Sequence, residues 1–182
     1  MKNRAHRETE YIISEVLNGP PMFSISLLIY SIDKFFNNEL SITAENKQTG
    51  LLFMGIHAAA LTISEALWGL HGQVGYQMFL EKFLDEEQPD REFSKIAKPI
   101  HDWRNILAHQ FLSSSGHNFD YDYHMEKGYK INNKDLIINP SIYLSCYLRA
   151  FKDNRIMNYA SKLNKKEQEK IKQRILGKYL QK

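Results

Sequence analysis

Six polar side chains within one predicted helix have the types and the spacing of a candidate active site. Three of them, His101, Asn105 and His109, follow one another at intervals of four residues and therefore share one face of the helix, which a helical wheel places opposite the apolar stripe of the same helix. A lysine and an aspartate flank this row, and a neighbouring arginine is long enough to reach it. The six residues are Lys98, His101, Asp102, Arg104, Asn105 and His109.

This set of groups suits acid–base chemistry near neutral pH and needs no metal ion. An imidazole has an ordinary pKa of about 6.5, so His101 and His109 can each accept or give a proton. The guanidinium of Arg104 stays charged and binds phosphate oxygens through its planar fork, which suits a developing phosphorane. Asn105 can orient a substrate or an imidazole. The row is therefore a candidate site for proton transfer at a phosphate.

The segment Arg104-Asn105-Ile106-Leu107-Ala108-His109 resembles the motif of the HEPN superfamily, in which a polar residue follows an arginine and a histidine comes after four to six intervening residues. Proteins of that superfamily are small helical bundles and often dimers. Many of them are metal-independent endoribonucleases that act as toxins or in phage defence. Two copies of the motif meet across the dimer interface and form one composite site.

The resemblance implies a role for each candidate residue. His109 would be the general base or acid, Arg104 would bind the phosphate in the transition state, and Asn105 would occupy the polar position. His101, Asp102 and Lys98 would then contact the substrate. The 2′-hydroxyl of the RNA would attack the adjacent phosphate and leave a cyclic phosphate end. No cofactor is expected, and the expected partners are RNA or a nucleotide, a second copy of the chain and, for a toxin, an antitoxin.

Other interpretations of the same face remain open, because a fold does not fix a function and short motifs recur by chance. The leading alternative is a non-catalytic helical module that binds a nucleotide, RNA or a partner protein through this face. A second alternative is a dimer seam, in which Arg104 and His109 would hold two copies together. The third is an ordinary solvated surface.

Three other patterns have a simpler structural interpretation than a functional one. His57 has no second metal ligand one helical turn away, so a buried, hydrogen-bonded histidine is expected. Asp120, Asp122 and His124 alternate along a predicted strand, as the polar face of a strand does. Cys146 lies in an apolar run and is expected to be a buried thiol. No metal site is predicted.

Apolar residues recur at helical spacing over most of the chain and predict an all-α bundle of about six to seven helices. An alternating segment from Phe119 to Met125 and a turn at Glu126-Lys127-Gly128 predict a small β-hairpin at about 117–138, between the fifth and sixth helices. The predicted helices cover about 8–17, 20–36, 49–70, 74–84, 94–112, 140–151 and 165 onward.

The charge is unevenly distributed, which suggests a bundle domain over residues 1–161 and a basic C-terminal helix over 162–182. The whole chain of 182 residues has a net charge of +3, whereas the segment from Lys162 onward contains eight Lys or Arg and two Glu. A solvated charged face is the commonest meaning of such a run. The helix can also bind nucleic-acid phosphates through its lysines, or pack on the body or on a partner through an apolar stripe that includes Ile171 and Ile175.

A cytoplasmic location without membrane insertion is expected from the composition. One cysteine cannot form an internal disulfide bond, and the basic N-terminal residues are not followed by an apolar segment such as a signal peptide has. The most apolar stretch, Leu51–Leu70, is interrupted by His57, Ser64 and Glu65, which are costly in lipid. It is therefore predicted to be a buried core helix.

Overall fold

The computed structural model describes residues 13–110, 119–132 and 135–180. A mostly helical bundle carries a small sheet between its sixth and seventh helices, which confirms the predicted fold class. Residues 13–18 are helical and are called α1. The other elements are α2 (Pro21–Ser31), α3 (Asn37–Glu45), α4 (Thr49–Trp68), α5 (Gly72–Phe79), α6 (Ala97–Gln110), β1 (Phe119–Tyr121), β2 (Tyr129–Asn132), β3 (Asp135–Ile138), α7 (Pro140–Lys152), α8 (Arg155–Lys162) and α9 (Lys165–Leu180).

The second predicted helix was expected to end near Phe36, and this prediction is wrong. A π-helical turn at Ile32–Phe36 joins α2 directly to α3. The sequence of α3 is rich in Asn, Ser and Thr, which usually compete with the helical backbone. Here the side chains of Asn38 and Ser41 donate hydrogen bonds to the backbone carbonyls four residues earlier, so they bond to the preceding helical turn and do not interrupt the helix. The buried Leu40 then holds α3 against Gly55 of α4.

Helix α4 is the central helix of the core, as predicted. Leu52, Phe53 and Ile56 are fully buried, and so is the ring of His57. Among the described residues, α4 is also the one helix that is long and apolar enough to cross a membrane by length and composition. Because 56% of its apolar window is buried inside the protein, that criterion is weak evidence, and core helices commonly meet it.

The inserted sheet has three strands in the order β1-β3-β2. β2 and β3 form an antiparallel hairpin, whereas β1 runs parallel to β3 and pairs Tyr121 with Ile138. The predicted hairpin therefore exists, but its first strand is β2 rather than the segment from Phe119. That segment leaves the strand at Asp122, whose carboxylate accepts a hydrogen bond from the backbone N–H of His124. A turn of this kind ends the alternating pattern early.

The C-terminal helices close the bundle. Asn139 caps α7 by accepting hydrogen bonds from the backbone N–H groups of Ser141 and Ile142, so the predicted start of this helix is confirmed. α9 packs on α2 and α4 through the buried Ile171 and Ile175, so of the alternatives left open the apolar stripe is used for packing on the body. A further set of contacts ties its basic residues to the body: Lys172 to the carbonyl of Gly19, Arg174 to the carbonyls of Ala66 and Leu67, and Lys178 to the carboxylate of Glu65.

Candidate functional site

Helix α6 carries the candidate residues, and its start is set by contacts with the preceding segment. A short 3-10 helix, Phe93–Ile96, leads directly into α6, and Pro99 falls in the first turn, where a missing N–H costs nothing. Ser94, at the start of the predicted helix 94–112, has the residue type of an N-cap. It instead donates its backbone N–H (3.0 Å) and its hydroxyl to the carboxylate of Asp85, so the cap comes from another part of the chain.

Trp103 anchors the middle of α6. Its ring stacks on Phe119 of β1 with centroids 4.0 Å apart and an interplanar angle of 14°. Phe53 of α4 meets the same ring edge to face at 5.3 Å and is itself stacked on Tyr143 of α7 at 5.0 Å. Aromatic pairs of this geometry add to the energy of burial. The rotation of α6 about its axis is therefore fixed by contacts with α4 and with the sheet.

The ring of His101 is paired with a buried histidine on α4. Nδ1 of His101 lies 2.8 Å from Nε2 of His57, which is a hydrogen-bond distance. His57 is fully buried, and His101 is half-buried. The helical wheel placed His101 on the face opposite the buried stripe, and that placement is wrong. His101 lies at the edge of the core, with one nitrogen used inside the protein.

The surroundings of His57 keep it neutral. Its ring lies against Tyr76, with centroids 4.4 Å apart, and the Tyr76 hydroxyl is hydrogen-bonded to the hydroxyl of the buried Tyr143. Burial lowers the pKa of His57 to about 3, and the charges of Arg104 and His101 act in the same direction. Burial also lowers the pKa of His101, with Arg104 contributing. The two rings therefore form a neutral pair at neutral pH.

Arg104 and Asn105 lie one turn along α6 from this pair. The Nη1 group of Arg104 donates to Oδ1 of Asn105 at 3.0 Å, so the amide orients the guanidinium. Nε of Arg104 is buried and has no hydrogen-bond partner in the described part of the chain. Both side chains are half-buried. A partly desolvated guanidinium is a suitable donor for an anionic ligand.

The remaining predicted residues occupy different positions on α6. Lys98 and Asp102 form an exposed ion pair with each other, one turn apart. His109 lies on α6, but its side chain is outside the part of the chain that the structure describes. The described residues contain no cluster of three His, Cys, Asp or Glu side chains that could hold a metal ion. The expected exposed positions of Asp120 and Asp122 are confirmed, as is the burial of Cys146.

Two features of this cluster are not apparent from the sequence. The sequence predicts a buried, hydrogen-bonded His57, but it identifies neither the hydrogen-bond partner of this ring nor its contact with Tyr76. The apolar surroundings of His57 in α4 were the available signal for burial. The pairing with His101 joins residues 44 positions apart and depends on how α4 packs on α6. The assembled cluster offers a cation, an amide and a neutral imidazole for phosphate binding and proton transfer.

The buried His57 leads to a prediction for the pH dependence of stability. Its pKa is about 3 in the folded protein, compared with an ordinary value of 6.5 in an unfolded chain. Between these values the unfolded chain binds a proton that the folded protein does not, so the free energy of unfolding decreases as the pH falls. This group adds a slope of about 1.4 kcal/mol per pH unit. Urea unfolding at about pH 7 and about pH 4.5 measures it.

A matched variant separates this effect from the titration of the carboxylates. His57→Phe keeps an aromatic ring in the core and removes the titrating group, so its stability should depend less on pH than that of the wild type. The same substitution at His71, whose side chain is 70% exposed, is the control for replacing a surface imidazole by a phenyl ring. If the wild type and His57→Phe lose the same free energy between the two pH values, the assignment is wrong.

No protein-family model, curated protein sequence or solved structure matches this chain.

Proposed function

We propose that this protein is a HEPN-like endoribonuclease that cleaves RNA without a metal ion. The observation that carries the proposal is the cluster on α6, in which Arg104 and Asn105 of the resembling motif lie beside the neutral pair of His101 and His57. Phosphoryl transfer needs a fixed cation for the charge that develops and a group that moves protons. The cluster supplies a guanidinium oriented by an amide and a half-buried imidazole.

In this reaction the 2′-hydroxyl oxygen of the RNA attacks the adjacent phosphorus, and the bond from phosphorus to the 5′-oxygen breaks. A base takes the proton of the 2′-hydroxyl, and an acid gives a proton to the leaving 5′-oxygen. The products are a 2′,3′-cyclic phosphate and a 5′-hydroxyl. Arg104 binds the phosphate oxygens as their charge increases, Asn105 holds the guanidinium, and His109 moves a proton as base or acid.

The proposal includes a homodimer, because the resembling motif forms a composite site from two copies. One copy supplies one Arg104 and one His109, and a second copy across the interface would supply the other proton-transfer group. A toxin or phage-defence role in the cytoplasm, with an antitoxin as a further partner, follows from the same resemblance. Lys98 and Asp102 lie on the exposed surface of α6, where they can contact the flanking nucleotides.

The test is incubation of purified protein with end-labelled RNA in excess EDTA, followed by analysis of the product ends. We expect cleavage with 2′,3′-cyclic phosphate ends. The double variant Arg104→Ala/His109→Ala, purified in parallel, should be inactive and controls for contaminating ribonuclease. His71→Ala is a matched histidine control that should stay active. His71 contacts Glu65, which lies eight residues along α4 from His57 and therefore about 12 Å away.

Two outcomes would contradict the proposal. Cleavage that disappears in EDTA would show a metal-dependent reaction. RNA or nucleotide binding without cleavage, with binding lost in Arg104→Ala, would show the non-catalytic module instead. Sedimentation of the wild type and the double variant would also show whether the same face is a dimer seam. In that case the wild type would be a dimer and the double variant a monomer.

A further inference from the structure

We infer that His57 is a positioning residue that fixes the tautomer of His101, so that neutral His101 carries its proton on Nε2 and presents a hydrogen-bond donor to the substrate. The inference starts from the single hydrogen bond between the two rings, 2.8 Å from His57 Nε2 to His101 Nδ1. Only one of these two nitrogens can hold the proton of that bond. The position of the proton on His57 therefore decides the position of the proton on His101.

The burial of His57 decides where its proton lies. Its ring is fully buried, and within the described part of the chain its Nδ1 has no hydrogen-bond partner. A neutral imidazole holds one proton, so Nδ1 is either an unpaired N–H or an unpaired lone pair. An orphaned buried N–H is rare in proteins, whereas an unpaired acceptor is tolerated more often. The proton of His57 therefore lies on Nε2, which donates to Nδ1 of His101.

A charged His101 would break this arrangement. Protonated His101 has N–H groups at both ring positions, so its Nδ1 would have to donate to His57. His57 would then move its own proton to Nδ1, where it has no partner. Burial, the largest cause, lowers the pKa of both histidines and so disfavours a charge on either ring. Among the groups that face the rings, Arg104 and Lys98 also lower the pKa of His101, whereas Asp102 raises it. These groups are Tyr76 from α5 and Lys98, Asp102 and Arg104 from α6 itself.

The tautomer gives His101 a defined role at the proposed site. A neutral imidazole with a proton on Nε2 donates a hydrogen bond to a phosphate oxygen or to the leaving oxygen, and it cannot act as the base that takes the 2′-hydroxyl proton. This role rests on the proposed function, with an RNA phosphate as the ligand. The tautomer itself is a property of the folded chain and does not depend on any activity.

Nuclear magnetic resonance of the ¹⁵N-labelled full chain tests the tautomer directly. Long-range correlations from the ring carbon protons distinguish a protonated nitrogen from an unprotonated one in each histidine. At neutral pH we expect Nε2 to be protonated and Nδ1 unprotonated in both His57 and His101. A protonated Nδ1 on His101 in the wild type would overturn the inference, whatever the protein does to RNA.

Two variants test the role of His57. The side-chain amide introduced by His57→Gln still offers an N–H donor in the place of Nε2, whereas His57→Phe fills the space and offers none. We expect His101 to keep its tautomer in His57→Gln and to populate both tautomers in His57→Phe, with a pKa nearer its ordinary value. A His101 signal that is the same in the wild type and in His57→Phe would overturn the positioning role. If His57→Phe does not fold, His57→Leu, which is also apolar and offers no N–H donor, takes its place in the same comparison with His57→Gln.

RNA cleavage gives the functional readout. The loss of one orienting hydrogen bond should lower the cleavage rate of His57→Phe by roughly five- to tenfold, with His57→Gln close to the wild type. The pH–rate profile of His57→Phe should also shift, which loss of stability alone would not produce. If the wild type does not cleave RNA, the proposed function fails and the tautomer assignment stands. If the wild type cleaves RNA and both variants cleave it at the wild-type rate with unchanged pH–rate profiles, the positioning role of His57 is wrong and the proposed function stands.

Discussion

In the proposed reaction, replacing Arg104 by alanine is expected to lower the rate of RNA cleavage by about a hundred- to a thousandfold, the usual effect of removing one donor that stabilises transition-state charge. The guanidinium is carried by α6 about one turn from His101, and its charge lowers the pKa of both His57 and His101. Asn105 orients it from the same helix. The measurement is single-turnover cleavage of end-labelled RNA in EDTA, with unfolding in urea as the check on folding.

Arg104→Lys is the matched control. Lysine keeps the positive charge but loses the planar fork and the hydrogen bond to Asn105 in its present form, so we expect activity between that of the wild type and that of Arg104→Ala. Loss of activity in Arg104→Ala with an unchanged free energy of unfolding would support a role in the transition state. A variant that cleaves at the wild-type rate would refute the assignment of Arg104.

Replacing Phe53 by alanine is expected to lower the free energy of unfolding by about 3–5 kcal/mol, as truncation of a buried phenylalanine usually does. The Phe53 ring is fully buried and touches Trp103, Phe119 and Tyr143, so it joins α4 to α6, the sheet and α7. A loss of this size is a large part of the stability of a typical domain. Urea unfolding followed by tryptophan fluorescence measures it, because Trp103 lies against the ring.

Phe35 provides the control for this prediction. It lies in the π-helical turn before α3, and 67% of its surface is exposed. Phe35→Ala should therefore change the free energy of unfolding by less than about 1 kcal/mol, since exposed substitutions away from special features have small effects. Equal losses in the two variants would mean that Phe53 is not the packing centre described above.

The parts of the fold that depend on local sequence signals could be predicted. Asn139 followed by Pro140 has the residue types of a helix cap and a first turn, and the structure has the cap at that position. The apolar period of α4 predicted its burial in the same way. These signals lie within one turn of the residues they control, so no knowledge of the packing was needed.

The parts that depend on packing between distant segments could not be predicted. Strand alternation identified Phe119 and Tyr121, but it does not say which strand they pair with, and the partner is β3 rather than the neighbouring β2. The helical wheel gives the direction in which His101 leaves the helix axis, but it does not give the fraction of the helix surface that is buried. α6 packs on both α4 and α5, so the core extends further around the helix than one apolar stripe indicates.

The strand order β1-β3-β2 constrains the order in which the chain can assemble. β2 and β3 are neighbours in sequence and pair locally, whereas β1 must close a longer loop to reach β3. β1 carries Phe119, the stacking partner of Trp103. During synthesis, Trp103 therefore lacks an ordered strand to stack on until the chain has grown past Ile138, and until then the helix with the candidate site can pack only on the helices that precede it, α4 and α5 among them.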